Sequence, residues 1–215
     1  QALYEKKDLS APTCNDCHGN HGALPPGVSS IANVCRQCHP SQAELFTLSP
    51  HKKAFDEARI SECEICHGNH RITSPSAEML AGGKQDLCLQ CHASDSTPYQ
   101  KAFKLREKFN SLQSHIESLS SRLNQVAKKG VETSEARYEL QQAHSFFLEA
   151  RNLIHGLSFS EIEEKIKASG DKLNLVDNLV LAAEKEIRYR KTGLVIATTF
   201  LFLLALALLL KVRER

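Results

Sequence analysis

Cys63-Glu64-Ile65-Cys66-His67-Gly68-Asn69-His70 is the stretch from which the architecture can be read. It is a C-x-x-C-H run with a second histidine three positions on. The run recurs as Cys14-Asn15-Asp16-Cys17-His18, Cys35-Arg36-Gln37-Cys38-His39 and Cys88-Leu89-Gln90-Cys91-His92. Together the four runs use all eight cysteines. At this Cys and His content, chance would supply on the order of 0.01 such runs in the chain. The spacing is that of c-type haem attachment. Two thiols separated by two residues reach the vinyl groups along one porphyrin edge as thioethers. The adjacent histidine turns its imidazole under the ring and ligates the iron. Zinc sites also use paired C-x-x-C units, but they do not need a histidine after every second cysteine. A disulfide framework gives the four histidines no role. Thioredoxin-like chemistry needs a βαβ pattern around the motif, which is missing here.

Working outward, Cys14–His21 reads CNDCHGNH and Cys63–His70 reads CEICHGNH. Each is followed by a plainer run, at Cys35 and at Cys88. The first half is therefore two haem pairs built by one rule and repeated. Residues 1–98 carry eight Lys/Arg against eleven Asp/Glu and are rich in Pro, Gly and Ser. Polypeptide of that composition lacks the apolar residues for a core. Four buried macrocycles would supply apolar surface to wrap, so folding here is expected to depend on haem. Short helical turns and loops are expected. Four covalent haem c groups are the expected cofactors, with Cys14, Cys17, Cys35, Cys38, Cys63, Cys66, Cys88 and Cys91 as thioether sites.

His18, His39, His67 and His92 are the expected proximal ligands. Six further histidines are His21, His51, His70, His115, His144 and His155. His21 and His70 stand three residues after a proximal histidine, too few to pass around a porphyrin to its opposite face. If they ligate, they ligate a neighbouring haem. His51 follows Ser49-Pro50 in a polar segment with no other evident job. One of His115, His144 and His155 is expected to complete the set. His144 and His155 lie three helical turns apart, on one face. We assign His155, beside Gly156, because a helix end leaves room for a flat cofactor. The expected distal set is His21, His51, His70 and His155. No residue is assigned a catalytic role.

At Pro98 the composition changes. Ala102, Leu105, Phe109, Leu112, Ile116, Leu119, Leu123 and Val126 alternate steps of three and four, a sustained apolar stripe closed by Gly130. A second stripe runs from Ala136 to Ile154 and ends at Gly156. A third runs from Ile162 to Ile187, with Ser160 and Glu163 read as a capping box and Gly170 as a bend. Short connections between such helices predict antiparallel neighbours. Thr192–Leu210 then contains no charged residue. Nineteen residues at helical rise cover about 28 Å, the thickness of a hydrocarbon core.

The expected architecture is mostly α. A loop-rich tetrahaem domain (1–98) precedes an antiparallel helical hairpin or three-helix bundle (99–191). A transmembrane helix (192–211) and a cytoplasmic tail (212–215) complete the chain. Lys185, Arg188, Arg190 and Lys191 precede the span and Lys211, Arg213 and Arg215 follow it, so charge does not set its orientation. Haem attachment outside the cytoplasm does, and it implies an export signal already removed before Gln1. The expected location is a bacterial inner membrane, haem domain periplasmic and C-terminus cytoplasmic. The formal net charge of +2 shows no nucleic-acid footprint.

These residues resemble the multihaem cytochromes with doubled C-x-x-C-H motifs. The shared features are the CHGNH runs, the Ser-Pro-His51 segment and the helical tail, with Glu149-Ala150-Arg151 leading to Ile154-His155. Arg190-Lys191-Thr192-Gly193-Leu194 and Lys211-Val212-Arg213 look like the ends of their C-terminal anchors. The resemblance implies a low-potential electron carrier in a quinol-linked respiratory or photosynthetic complex. Its implied partners are a quinol-oxidising membrane protein and a periplasmic redox acceptor. Quinol-dehydrogenase cytochromes usually carry an N-terminal anchor, and this chain departs from that. The alternative is a multihaem reductase of the nitrite type with one open haem.

Overall fold

The structure, a computed structural model, describes residues 12–19, 31–72 and 74–214. It is mostly helical, with no strand among the described residues. Among the described residues the first half is a string of short elements: α1 (Cys14–His18), α2 (Ile31–Arg36), α3 (Pro40–Leu48), α4 (Pro50–Ala58) and α5 (Glu64–His67). Two 3-10 turns follow, Ala77–Met79 and Leu87–Gln90. Pro40 and Pro50 each open a helix at its first position, where the missing N–H costs nothing. Helices this short are not stable alone in water and depend on what they pack against.

Three long elements follow: α6 (Thr97–Ala127), α7 (Ser134–Leu153) and α8 (Phe159–Arg213), with a 3-10 turn at Ile154–Gly156. The chain clusters into two compact units. One comprises residues 1–111 with 147–166, the other 112–146 with 167–215.

In the first unit Phe109 and Phe147 pack edge to face at 5.8 Å between ring centres, with Leu105, Ala150 and Ile162 buried. Arg151 lays its guanidinium over Phe147 and bonds the carbonyl of Pro75. The Ile154–Gly156 turn packs on α3, where a Cβ at Gly156 would meet Leu45 Cδ2 at 3.5 Å.

In the second unit the stripes read from the sequence are the core. Ile116, Leu119, Leu123, Val126, Ala136, Ala143, Leu173, Val176, Val180 and Ile187 are all buried. Ser169 occupies a stripe position that an apolar pattern skips. It is fully buried and donates its hydroxyl to the carbonyl of Ala143 at 2.8 Å. Arg122 forks onto Glu184 at 3.0 and 3.1 Å and reaches Asp177 at 2.5 Å.

Three local expectations change. Ser160 lies inside α8, which begins at Phe159 with Ile162 N–H bonding the Ser158 carbonyl. Glu163 turns outward to Lys108 at 2.7 Å and takes no part in a cap. Gly170 does not interrupt α8, because the flanking Ile162, Leu173 and Val176 are buried and hold the helix through it. The turn after α7 takes its left-handed residue at Leu157 (φ 53°), one place beyond Gly156. His155 stands in the 3-10 turn Ile154–Gly156 that follows α7.

The end of α8 is fully exposed and has a mean hydropathy of 2.7 over its most apolar window. It is long and apolar enough to cross a membrane. Thr192, Thr198 and Thr199 return their hydroxyls to the carbonyls of Arg188, Leu194 and Val195, so these polar groups are satisfied within the helix.

Candidate haem-attachment site

The site begins with the repeated turn. In α1 and α5 the motif histidine is the last helical residue, and the following glycine ends the helix. Gly19 has φ 74° and ψ 179°, and Gly68 has φ 70° and ψ −174°. Such a conformation is strained for any residue with a Cβ. The two halves of the repeat thus turn the chain the same way after CxxCH. After Gly68, the Asn69 side-chain oxygen accepts from the His70 N–H at 2.8 Å and fixes the direction of the next residue.

Among the described residues three imidazole pairs result. His18 and His70 lie 6.0 Å apart between ring centres with planes 10° apart. His51 and His92 lie 5.9 Å apart at 29°. His67 and His155 lie 6.1 Å apart at 24°. Each pair joins one CxxCH histidine to one histidine outside those motifs. Rings in van der Waals stacking would be closer. A metal–imidazole bond of about 2 Å, with the ring centre about 1 Å behind the nitrogen, spaces two axial imidazoles about 6 Å apart. The side chains present therefore fit an iron held between each pair.

The elements that aim these rings follow from local sequence. His51 stands in the first turn of α4, behind the Ser49-Pro50 start, with Phe55 stacked on it at 5.5 Å. His155 has its Nδ1 2.9 Å from the carbonyl of Asn152. A carbonyl only accepts, so Nδ1 carries the proton and Nε2 the lone pair. A ligating histidine fixed through its other nitrogen is the usual arrangement at metal sites. Burial, then the neighbouring His92, holds His51 below the ordinary histidine pKa. Burial, then His155 and His39, does the same for His67. Both shifts favour the neutral imidazole over its charged form, and a metal ligand is neutral.

The thiols show which motifs are neighbours. Burial pushes Cys63 up to about 11, helped by Cys35. Cys17 is raised by burial and then by Cys35. Cys66 is raised by burial and then by Cys88 and Cys91. The first motif therefore adjoins the second, the third adjoins the fourth, and the second adjoins the third. No disulfide joins any of the eight cysteines. Among the described residues no three His, Cys, Asp or Glu side chains converge as a zinc-type cluster.

Several buried side-chain polar atoms without a hydrogen-bond partner fall in or beside the segments that carry these histidines. They include Arg36 Nε and Glu64 Oε2 inside motifs, Ser49 Oγ just before His51, and Asn152 Oδ1 just before His155.

Of the expected ligands, His21 lies outside the described residues, and His39 is exposed at the start of α3. His115 on α6 and the exposed His144 on α7 belong to the second unit. The sequence reading missed two supports. Asp86 accepts from Gly82 N–H and Tyr99 Oη at 2.7 Å each, and from Leu89 N–H at 3.4 Å, which braces the turn carrying Cys88. Arg36 within the second motif and Lys52 on α4 converge on Glu62 at 3.1 and 3.2 Å. An Asp directly before the Leu87–Gln90 turn is a legible capping signal; its Tyr99 partner has no local signature.

Residues 56–97 match the family model of the doubled CXXCH motif. That motif is the signature of multihaem c-type cytochromes and indicates covalently bound haem c. No curated protein matches the chain, and no solved structure does.

Proposed function

We propose that the chain is a membrane-anchored tetrahaem cytochrome c that relays electrons on the periplasmic face of a bacterial inner membrane. Each CxxCH run would hold one haem through its two cysteines. His18, His39, His67 and His92 would be the proximal ligands, and His21, His51, His70 and His155 the distal ones. When bound, haem c supplies one-electron chemistry at its iron. The observation that carries the reading is the imidazole pairing, in which three CxxCH histidines each face a second ring at about the spacing of two axial ligands. An iron with both axial positions closed has none for substrate, which favours a carrier over a nitrite-type reductase.

The exposed apolar end of α8 supports an anchor, and haem attachment outside the cytoplasm supports a cytoplasmic C-terminus. Residues 192–215 contain no histidine, so the span offers no imidazole to a membrane haem. A quinol-oxidising membrane protein and a periplasmic acceptor would then be the partners, in a respiratory or photosynthetic complex. Electron paramagnetic resonance of the purified oxidised protein tests the reading. Low-spin ferric signals alone are expected. A high-spin signal from a stoichiometric haem would favour the reductase.

A further inference from the structure

We propose that His70 is the second axial ligand of the iron attached at Cys14 and Cys17, so that the two halves of the repeat are ligated across each other. The inference rests on the four-haem reading above and adds which histidine serves which site. His70 follows His67 by three residues, too few to reach the far face of the iron that His67 itself binds. Gly68, at φ 70°, turns the chain away from α5, and Asn69 fixes the direction of His70. The ring it then meets is His18, at 6.0 Å and 10° from parallel, the most nearly coplanar of the three pairs. The other two paired motif histidines have different partners: His92 faces His51 and His67 faces His155. His67-Gly68-Asn69-His70 therefore holds two irons with one four-residue segment, the third motif's from one end and the first motif's from the other. Without residues 63–70 the first motif's iron lacks its second ligand, so the first haem pair is not a self-sufficient module.

The test is an epistasis experiment on the full chain, read by electron paramagnetic resonance and by the mass of the denatured protein. His70→Ala should convert one haem from low-spin to high-spin ferric, and added imidazole should restore it. The double variant Cys14→Ala, Cys17→Ala removes the first attachment site and should lose one haem of mass. In that background His70→Ala should add no high-spin signal. A new high-spin centre there would place His70 on another iron and overturn the proposal. No high-spin signal from His70→Ala in the otherwise native chain would also overturn it. If His70→Ala does not accumulate, His70→Met keeps a ligand. It should raise one haem's potential in the native background and none in the double variant, and a shift in the double variant contradicts the assignment. A native mass without a haem at Cys14 and Cys17 would instead refute the four-haem reading, so the two failures are distinguishable.

Discussion

His67 and His155 face each other at 6.1 Å between ring centres, although one closes a four-residue helix in the attachment region and the other stands in the turn after α7. The pair ties the helical part of the first unit to the third motif. On the proposed four-haem ligation, His155→Ala should leave about one quarter of the iron high-spin and raise that haem's potential, since the proposed bis-histidine iron would lose an imidazole. His144→Ala, an exposed change in the other unit, should alter neither. A high-spin signal in His144→Ala and none in His155→Ala would reverse the assignment.

The packing of α7 on α8 is set by small residues. Ser169 and Ala143 are both fully buried and joined by a hydrogen bond. Ser169→Ala should cost about 0.5–1.5 kcal/mol, the net worth of one such bond. Ser169→Leu completes the apolar stripe but adds volume where there is none, and should cost about 1–3 kcal/mol. Chemical denaturation checks both. A stabilised Leu variant would contradict the close approach of the helices.

The Arg122 fork predicts an acid-sensitive second unit. Its hydrogen bonds hold Glu184 below the ordinary value of 4.5. A carboxylate with a depressed folded pKa contributes stability above its unfolded pKa, and that contribution is lost as pH falls through the folded value. Stability should thus decline below about pH 4.5, and Glu184→Gln should remove that part of the decline. The pair is about a third exposed, so the effect should shrink in high salt. An acid-denaturation midpoint unchanged in Glu184→Gln would count against it.

Those helical predictions concern a region that was largely legible in the sequence. The three-and-four spacing from Leu105 to Val126 marked buried positions, because a helix buried on one side needs an apolar stripe. Ser169 was not legible, since a polar residue in a stripe looks like an interruption until its acceptor, Ala143 O, is known. The CxxCH runs were legible because thioether chemistry requires a fixed spacing, and over residues 56–97 they match the doubled CXXCH motif. The ring pairs were not. His18 meeting His70, and His67 meeting His155, depend on tertiary approach across long sequence separations, which no local pattern encodes. The Ser160 cap failed because Glu163 found Lys108, a partner equally remote in sequence.

The orientation of the span is a separate prediction. With the haem region outside, protease added to intact spheroplasts should digest residues before Thr192 and spare Lys211 to Arg215. Charge on the two sides is too even to set the topology by itself. Protection of the haem region would contradict the proposed placement.

The central claim is that all four CxxCH runs carry covalent haem. Mass spectrometry of the denatured, unreduced chain tests it most directly. The polypeptide accounts for 23.9 kDa, and four thioether-linked haems should add about 2.5 kDa. An increment of that size is the result predicted here. A smaller one, stepped by whole haems or absent altogether, would contradict the account.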